Sequence, residues 1–170
     1  VDIRAAILEE HSKAQSTLIA NYIGDDKKRF KTLVQLFLHD EYRVVQRAAW
    51  IISLVAEKHP ELVASHLPAF AARMQEPGLP VAVKRNVVRI LQHIAIPESL
   101  EAPVMNACFE FLADPKETVA VRCFSMTVLG NLARKYPEIK QELVSIVEDQ
   151  LEQGATAGFR ARAKAVLRAL

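Results

Sequence analysis

The chain holds 170 residues, 51% of them hydrophobic and 25% charged, with a formal net charge of +2. A chain of this length can bury roughly 70% of its unfolded surface, so a full core is available, and the charge alone argues neither for nor against nucleic acid. Aromatics make up only 6%, which suits close-packed helices better than a β-sandwich, and the apolar run at 48–56 is far below the roughly 18 residues of a membrane span.

Residues 2–23 are predicted as one helix. Ile3, Ile7, Leu8, Leu18, Ile19, Tyr22 and Ile23 form its stripe, and Gly24-Asp25-Asp26 ends it. No charged segment followed by an apolar run opens the sequence, so no signal peptide is expected and the location is read as cytoplasmic. The two cysteines, Cys108 and Cys123, fall in helical patterns and read as buried free thiols.

From about residue 27 the chain repeats. Val45–Ala56, Val83–Ile94, Val121–Leu132 and Phe159–Leu170 align without a gap at a step of 38 residues. A period in this range marks a helical solenoid. Each unit reads as a first helix (A) followed by the repeating second helix (B). Leu33 and Leu36, Ala71 and Met74, and Phe109 and Leu112 supply the A columns at the same step. Asp40-Glu41, Glu76-Pro77-Gly78, Asp114-Pro115 and Glu152-Gln153-Gly154 are the A-to-B turns. His59-Pro60-Glu61, Ile96-Pro97-Glu98 and Tyr136-Pro137-Glu138 connect B to the next A, with proline placed where a first helical turn needs no N–H donor. Pro68 and Pro103 are expected to split or restart two A helices.

Unit positions 1, 5, 8, 9 and 12 fall on one arc of each B helix, as with Val83, Val87, Ile90, Leu91 and Ile94. Positions 3, 7 and 10 are predicted to point outward: Arg47, Ile51 and Leu54; Arg85, Arg89 and Gln92; Cys123, Thr127 and Gly130; Ala161, Ala165 and Arg168. The B segments are net positive and the later A segments net negative by nearly as much, so a small total charge hides a segregated one.

With this period, the V-K/R-x-x-A type of B helix and the acidic turns, the chain resembles HEAT-repeat proteins, in particular short bacterial HEAT-like members of the armadillo-like superhelix. The residues carrying the likeness are Val45, Val83, Val121 and Phe159, then Leu91, Leu129 and Leu167, with Lys84, Arg122 and Arg160 at the basic position. Ser53 departs from the leucine column. The resemblance implies an all-α, right-handed α–α superhelix of about four and a half helix pairs. It would be one domain over 1–170: a degenerate N-terminal cap (1–26) and repeats at about 27–60, 61–97, 98–137 and 138–170. It also implies that Glu76, Asp114 and Glu152 pair with Lys84, Arg122 and Arg160 in a structural ladder, and that B helices line the concave side.

The leading expectation is a non-enzymatic scaffold binding an acidic protein segment on that basic face, through Arg47, Arg85, Arg89, Arg134 and Arg168. The alternative is a nucleic-acid-binding relative of DNA repair glycosylases, a minority of the HEAT group. Phosphate-cradling glycine motifs, a nucleophile elbow and metal-ligand spacings among the five histidines are missing, so no catalytic residue, cofactor, metal or small-molecule substrate is expected. His93, on the second regular B segment, is read as a helix-flank residue.

Overall fold

The computed structural model describes residues 1–170, and all of its regular structure is helical. Its helices are α1 (Ile3–Glu9), α2 (Lys13–Ile23), α3 (Lys27–His39), α4 (Tyr42–Lys58), α5 (Pro60–Val63), α6 (Leu67–Arg73), α7 (Val81–Leu91), α8 (Glu98–Ala113), α9 (Val119–Lys135), α10 (Lys140–Glu152) and α11 (Ala157–Ala169). No helix is long and apolar enough to cross a membrane. The chain divides into two compact units, Val1–Ile90 and Leu91–Leu170.

In the first unit, the single helix expected over 2–23 is two. Glu10 is extended (φ −151°, ψ 145°), and the Ser12 hydroxyl accepts the Gln15 N–H at 3.0 Å to start α2. The physical reason lies in Glu9-Glu10-His11-Ser12-Lys13, five polar residues that give a continuous helix nothing to bury, beside a serine well suited to an N-cap. Gln15 also donates its amide to the Ala6 carbonyl at 2.8 Å, satisfying an acceptor at the end of α1. Helix α4 packs against α3 through the expected arc, with Val45, Ala49, Ile52 and Ser53 buried. It also packs against α1 and α2, so Ile51, expected to face outward, is buried instead.

An aromatic cluster joins α3 to α6. The His66 ring lies 5.5 Å from Phe30 and 6.1 Å from Phe70, and Phe70 meets Phe37 edge-on at 5.4 Å. Burial, and to a lesser degree Lys31, holds the His66 pKa below its ordinary 6.5. The unfolded chain then binds the extra proton more readily. The stability contribution is complete above about pH 6.5 and is lost as the pH falls through the lower folded value. We expect His66→Phe to reduce the fall in melting temperature between about pH 7 and pH 5, followed by circular dichroism. An equal fall in both proteins would remove His66 from the acid response.

The prolines behave differently from one another. Pro68 begins α6 after a 3₁₀ turn at Ala64–His66, so this A segment is split as expected. Pro103 breaks nothing: it sits inside a continuous α8. Ser99 and Pro103 are both exposed. Water can therefore satisfy the carbonyl that proline leaves without a donor.

In the second unit, α9 is the central element, packing against α8, α10 and α11. Val121, Ser125, Val128, Leu129 and Leu132 are all buried, which is the expected arc. Cys123 and Gly130, at unit positions expected outward, are buried too, which for Cys123 agrees with its reading as a buried free thiol. A Cβ added at Gly130 would stand 3.0 Å from Val166 Cγ1, so this glycine sets how closely α11 approaches α9. Thr118 and Thr156 each accept an N–H three residues on and so start α9 and α11. The second repeated segment was expected to stay helical to Ile94, but α7 ends at Leu91, which leaves the exposed His93 beyond the helix.

Candidate functional site

The first unit carries a cleft of about 310 Å³ lined by His11, Gln46, Trp50, Arg85, Asn86 and Arg89. Helix α7 builds its basic wall. Val83, Val87 and Ile90 bury one side, which turns Arg85 and Arg89, four residues apart, toward the other. Asn86 is buried between them and donates to the Ala82 carbonyl at 2.8 Å. From α4 come Gln46 and Trp50, and the break between α1 and α2 contributes His11, whose ring meets Trp50 edge-on at 6.2 Å. Arg89 pairs with Glu57 at 3.0 Å across to α4. Arg85 is exposed and has no such partner, and no carboxylate lines the cleft. Its positive charge is therefore only partly neutralised.

The second unit has a smaller cleft, about 180 Å³, between α9 and α11. Thr127, Asn131 and Arg134 come from α9, and Arg162, Ala165 and Val166 from α11. The Arg162 guanidinium is held there: Nη1 donates to Gln92 Oε1 at 2.7 Å and to Thr127 Oγ1 at 2.8 Å. Arg134 is exposed at the last turn of α9.

The expected arginines thus separate. Arg85 and Arg89 meet in one cleft, and Arg134 lines the cleft of the other unit. Arg168 is exposed on the last turn of α11, outside the walls of either. Arg47 points elsewhere, donating through Nη1 to the carbonyls of Ile7 at 2.8 Å and Leu8 at 3.3 Å. It ties α4 to the C-terminal turn of α1, where a cation is favoured. Arg47→Gln is expected to lower unfolding free energy by roughly 1–2 kcal/mol and leave ligand affinity unchanged. Urea denaturation beside a ligand titration separates the two; an affinity loss without destabilisation would return Arg47 to the binding surface.

A protein-family model described as HEAT repeat domain matches residues 3–170. The chain belongs to the HEAT-repeat family. Its fold class is therefore an all-helical α–α solenoid, and HEAT repeats typically serve as protein-interaction scaffolds. No curated protein and no solved structure matches the chain.

Within this HEAT chain Glu76 and Asp114 of the acidic column have close contacts beside their own turns. Glu76 is held by Arg73 at 2.5 Å, although it also lines a cleft of about 160 Å³ at the α6–α7 turn together with Lys84. Asp114 accepts the Lys116 N–H at 2.9 Å within its own turn, and Glu152 is exposed at the end of α10. Arg160 donates from Nε to the Ala155 carbonyl at 3.0 Å. Arg122 does cross to another element, but its acceptor is Gln150 of α10, which in turn donates to the Leu112 carbonyl at the end of α8. A neutral amide can accept from a guanidinium and donate to a carbonyl, which a carboxylate cannot. Burial pushes the Cys108 thiol up to about 12 and raises that of Cys123, which disfavours the thiolate at both.

Reading by columns missed His11, Gln46, Asn86 and Arg162. His11 lies outside the repeated region, while Gln46, Asn86 and Arg162 occupy unit position 2 or 4, beside the positions taken as outward.

Proposed function

We propose that this HEAT-repeat chain is a non-enzymatic scaffold that binds an acidic protein segment on its B helices, anchored in the α4–α7 cleft. The observation that carries this reading is the pair Arg85 and Arg89, one turn apart on an open wall that contains no carboxylate. Such a wall raises the local concentration of anions, and Arg85 can accept a carboxylate without surrendering an internal partner. A general acid or base would need to line the cleft, and the ionisable lining groups besides the arginines reduce to His11.

Trp50 makes the proposal directly measurable, since it is the only tryptophan in the sequence and forms part of the cleft. An acidic peptide such as acetylated hexaglutamate should change Trp50 emission saturably at low salt, and the affinity should weaken as salt is added. Unchanged emission together with no peptide retained at low salt would remove the reading.

One observation favours a nucleic-acid reading: the half-buried Trp50 beside the exposed Arg85 is also a platform for an unstacked base. An oligonucleotide that outcompetes the peptide, with an affinity falling steeply as salt rises, would select it. Glycosylase chemistry gains no support from either arginine cleft, because neither is lined by a carboxylate to activate water.

A further inference from the structure

We infer that Arg162 is a pre-organised receptor for one carboxylate side chain, set in the α9–α11 cleft of the second unit. This rests on the reading that the chain takes an acidic protein segment, and it adds a second anchor whose ligand geometry is defined.

A guanidinium has five N–H donors in a planar fork. Arg162 commits Nη1 to Gln92 and Thr127, and both acceptors are neutral. The Phe124 ring centroid lies 5.7 Å from its central carbon, which adds a third neutral restraint. The side chain is half-buried, yet no carboxylate lines the cleft to balance its charge. The Nε–Nη2 edge carries no protein acceptor. That edge presents two parallel N–H groups, the arrangement that meets both oxygens of one carboxylate.

Pre-organisation is the physical point. An exposed arginine loses several rotatable bonds when it binds, whereas Arg162 is already fixed by two hydrogen bonds and a ring. Arg134, exposed on the same cleft, supplies a second positive charge at the mouth, and Asn131 gives its amide to the Gln92 carbonyl at 3.1 Å, bracing Gln92. A cleft of about 180 Å³ admits one carboxylate-bearing side chain and leaves the rest of a peptide outside. Gly130 maintains the cleft floor by permitting the close approach to Val166.

The test follows the side-chain Nε–H resonance of Arg162 by NMR in the full chain, with acetylated hexaglutamate, its hexaglutamine counterpart and a phosphoserine peptide as probes. Hexaglutamate should move the resonance saturably and hexaglutamine should not. Arg162→Lys keeps the charge but loses the fork, and should weaken the binding at this cleft by about tenfold. Thr127→Val removes one restraint and should weaken it by less, which keeps a measurement available if an Arg162 variant folds poorly. Arg85→Glu should leave the Arg162 response intact. An unmoved resonance, or equal affinity in Arg162→Lys, overturns the fork. A phosphoserine peptide binding more than about tenfold tighter overturns the carboxylate as occupant. If Trp50 responds and Arg162 does not, the scaffold reading stands and this second anchor falls; silence at both removes both.

Discussion

Replacing Leu129 with aspartate should unfold the second unit. Leu129 is completely buried on α9, on the same arc as Val121, Ser125, Val128 and Leu132. Removing the isobutyl group alone costs about 2–5 kcal/mol at a site of this kind. The carboxylate adds a further cost of at least a few kcal/mol, because it must either lose its hydration unpaired or take up a proton. Domains are held by only about 5–15 kcal/mol, so the sum is comparable with the whole. Far-UV circular dichroism and urea denaturation should show lost helix and no second-unit transition, or an insoluble product. Leu129→Ala should remain folded and merely weaker. Leu18→Asp is the matched control, since Leu18 is 61% exposed on α2 and its replacement should change stability by less than about 0.5 kcal/mol. A soluble, fully helical Leu129→Asp protein would mean that the repeat register has been misplaced.

That prediction could be made from the sequence because burial at helical spacing repeats with the period. Each B helix has one face that must be covered, and a column of aliphatic residues at a fixed step marks it four times over. Unit position 6 shows the column ending: it is buried as Val88 and Met126, half-buried as Trp50, and exposed as Lys164. What a column does not carry is which neighbour covers the remaining faces. Ile51, Cys123 and Gly130 occupy positions expected to point outward, yet they are buried in helices that pack on more than one side. Periodicity also says nothing of local capping, so the Ser12 break between α1 and α2 was passed over, and with it the loop that brings His11 to Trp50.

Charged columns were less informative than apolar ones for a related reason. An apolar residue has essentially one way to lower its free energy, by leaving water, whereas an arginine finds acceptors of several kinds. Arg47 takes carbonyls, Arg122 takes an amide, Arg89 takes a carboxylate and Arg85 is left exposed. Arg47, Arg85 and Arg122 sit at unit positions 2 or 3 and Arg89 one turn on at position 7, yet even those that share a register differ in their surroundings. Regular spacing therefore identified the basic helices but could not distinguish a structural guanidinium from an available one.

Arg85→Glu is expected to abolish capture of an acidic segment at the α4–α7 cleft while leaving the fold intact. Arg85 is exposed and lies on the cleft wall, so reversing it disturbs no buried pair. Arg89 is the less clean target: its replacement by glutamate would set two carboxylates together where Arg89 and Glu57 now pair at 3.0 Å. Losing an exposed pair costs about 0–1 kcal/mol, and the new repulsion adds a similar amount, so an Arg89 effect on binding would be mixed with one on stability. At Arg85 the change removes a charge-assisted contact worth about 1.5–3 kcal/mol and substitutes a repulsion. Affinity for acetylated hexaglutamate, read from Trp50 emission, should fall by at least about a hundredfold at low salt. High salt should narrow the gap between variant and wild type, because screening weakens the attraction in one and the repulsion in the other. Arg85→Gln should fall between them. Equal binding by all three proteins, with unchanged melting curves, would show that this wall is a solvated helix face and that any partner docks elsewhere.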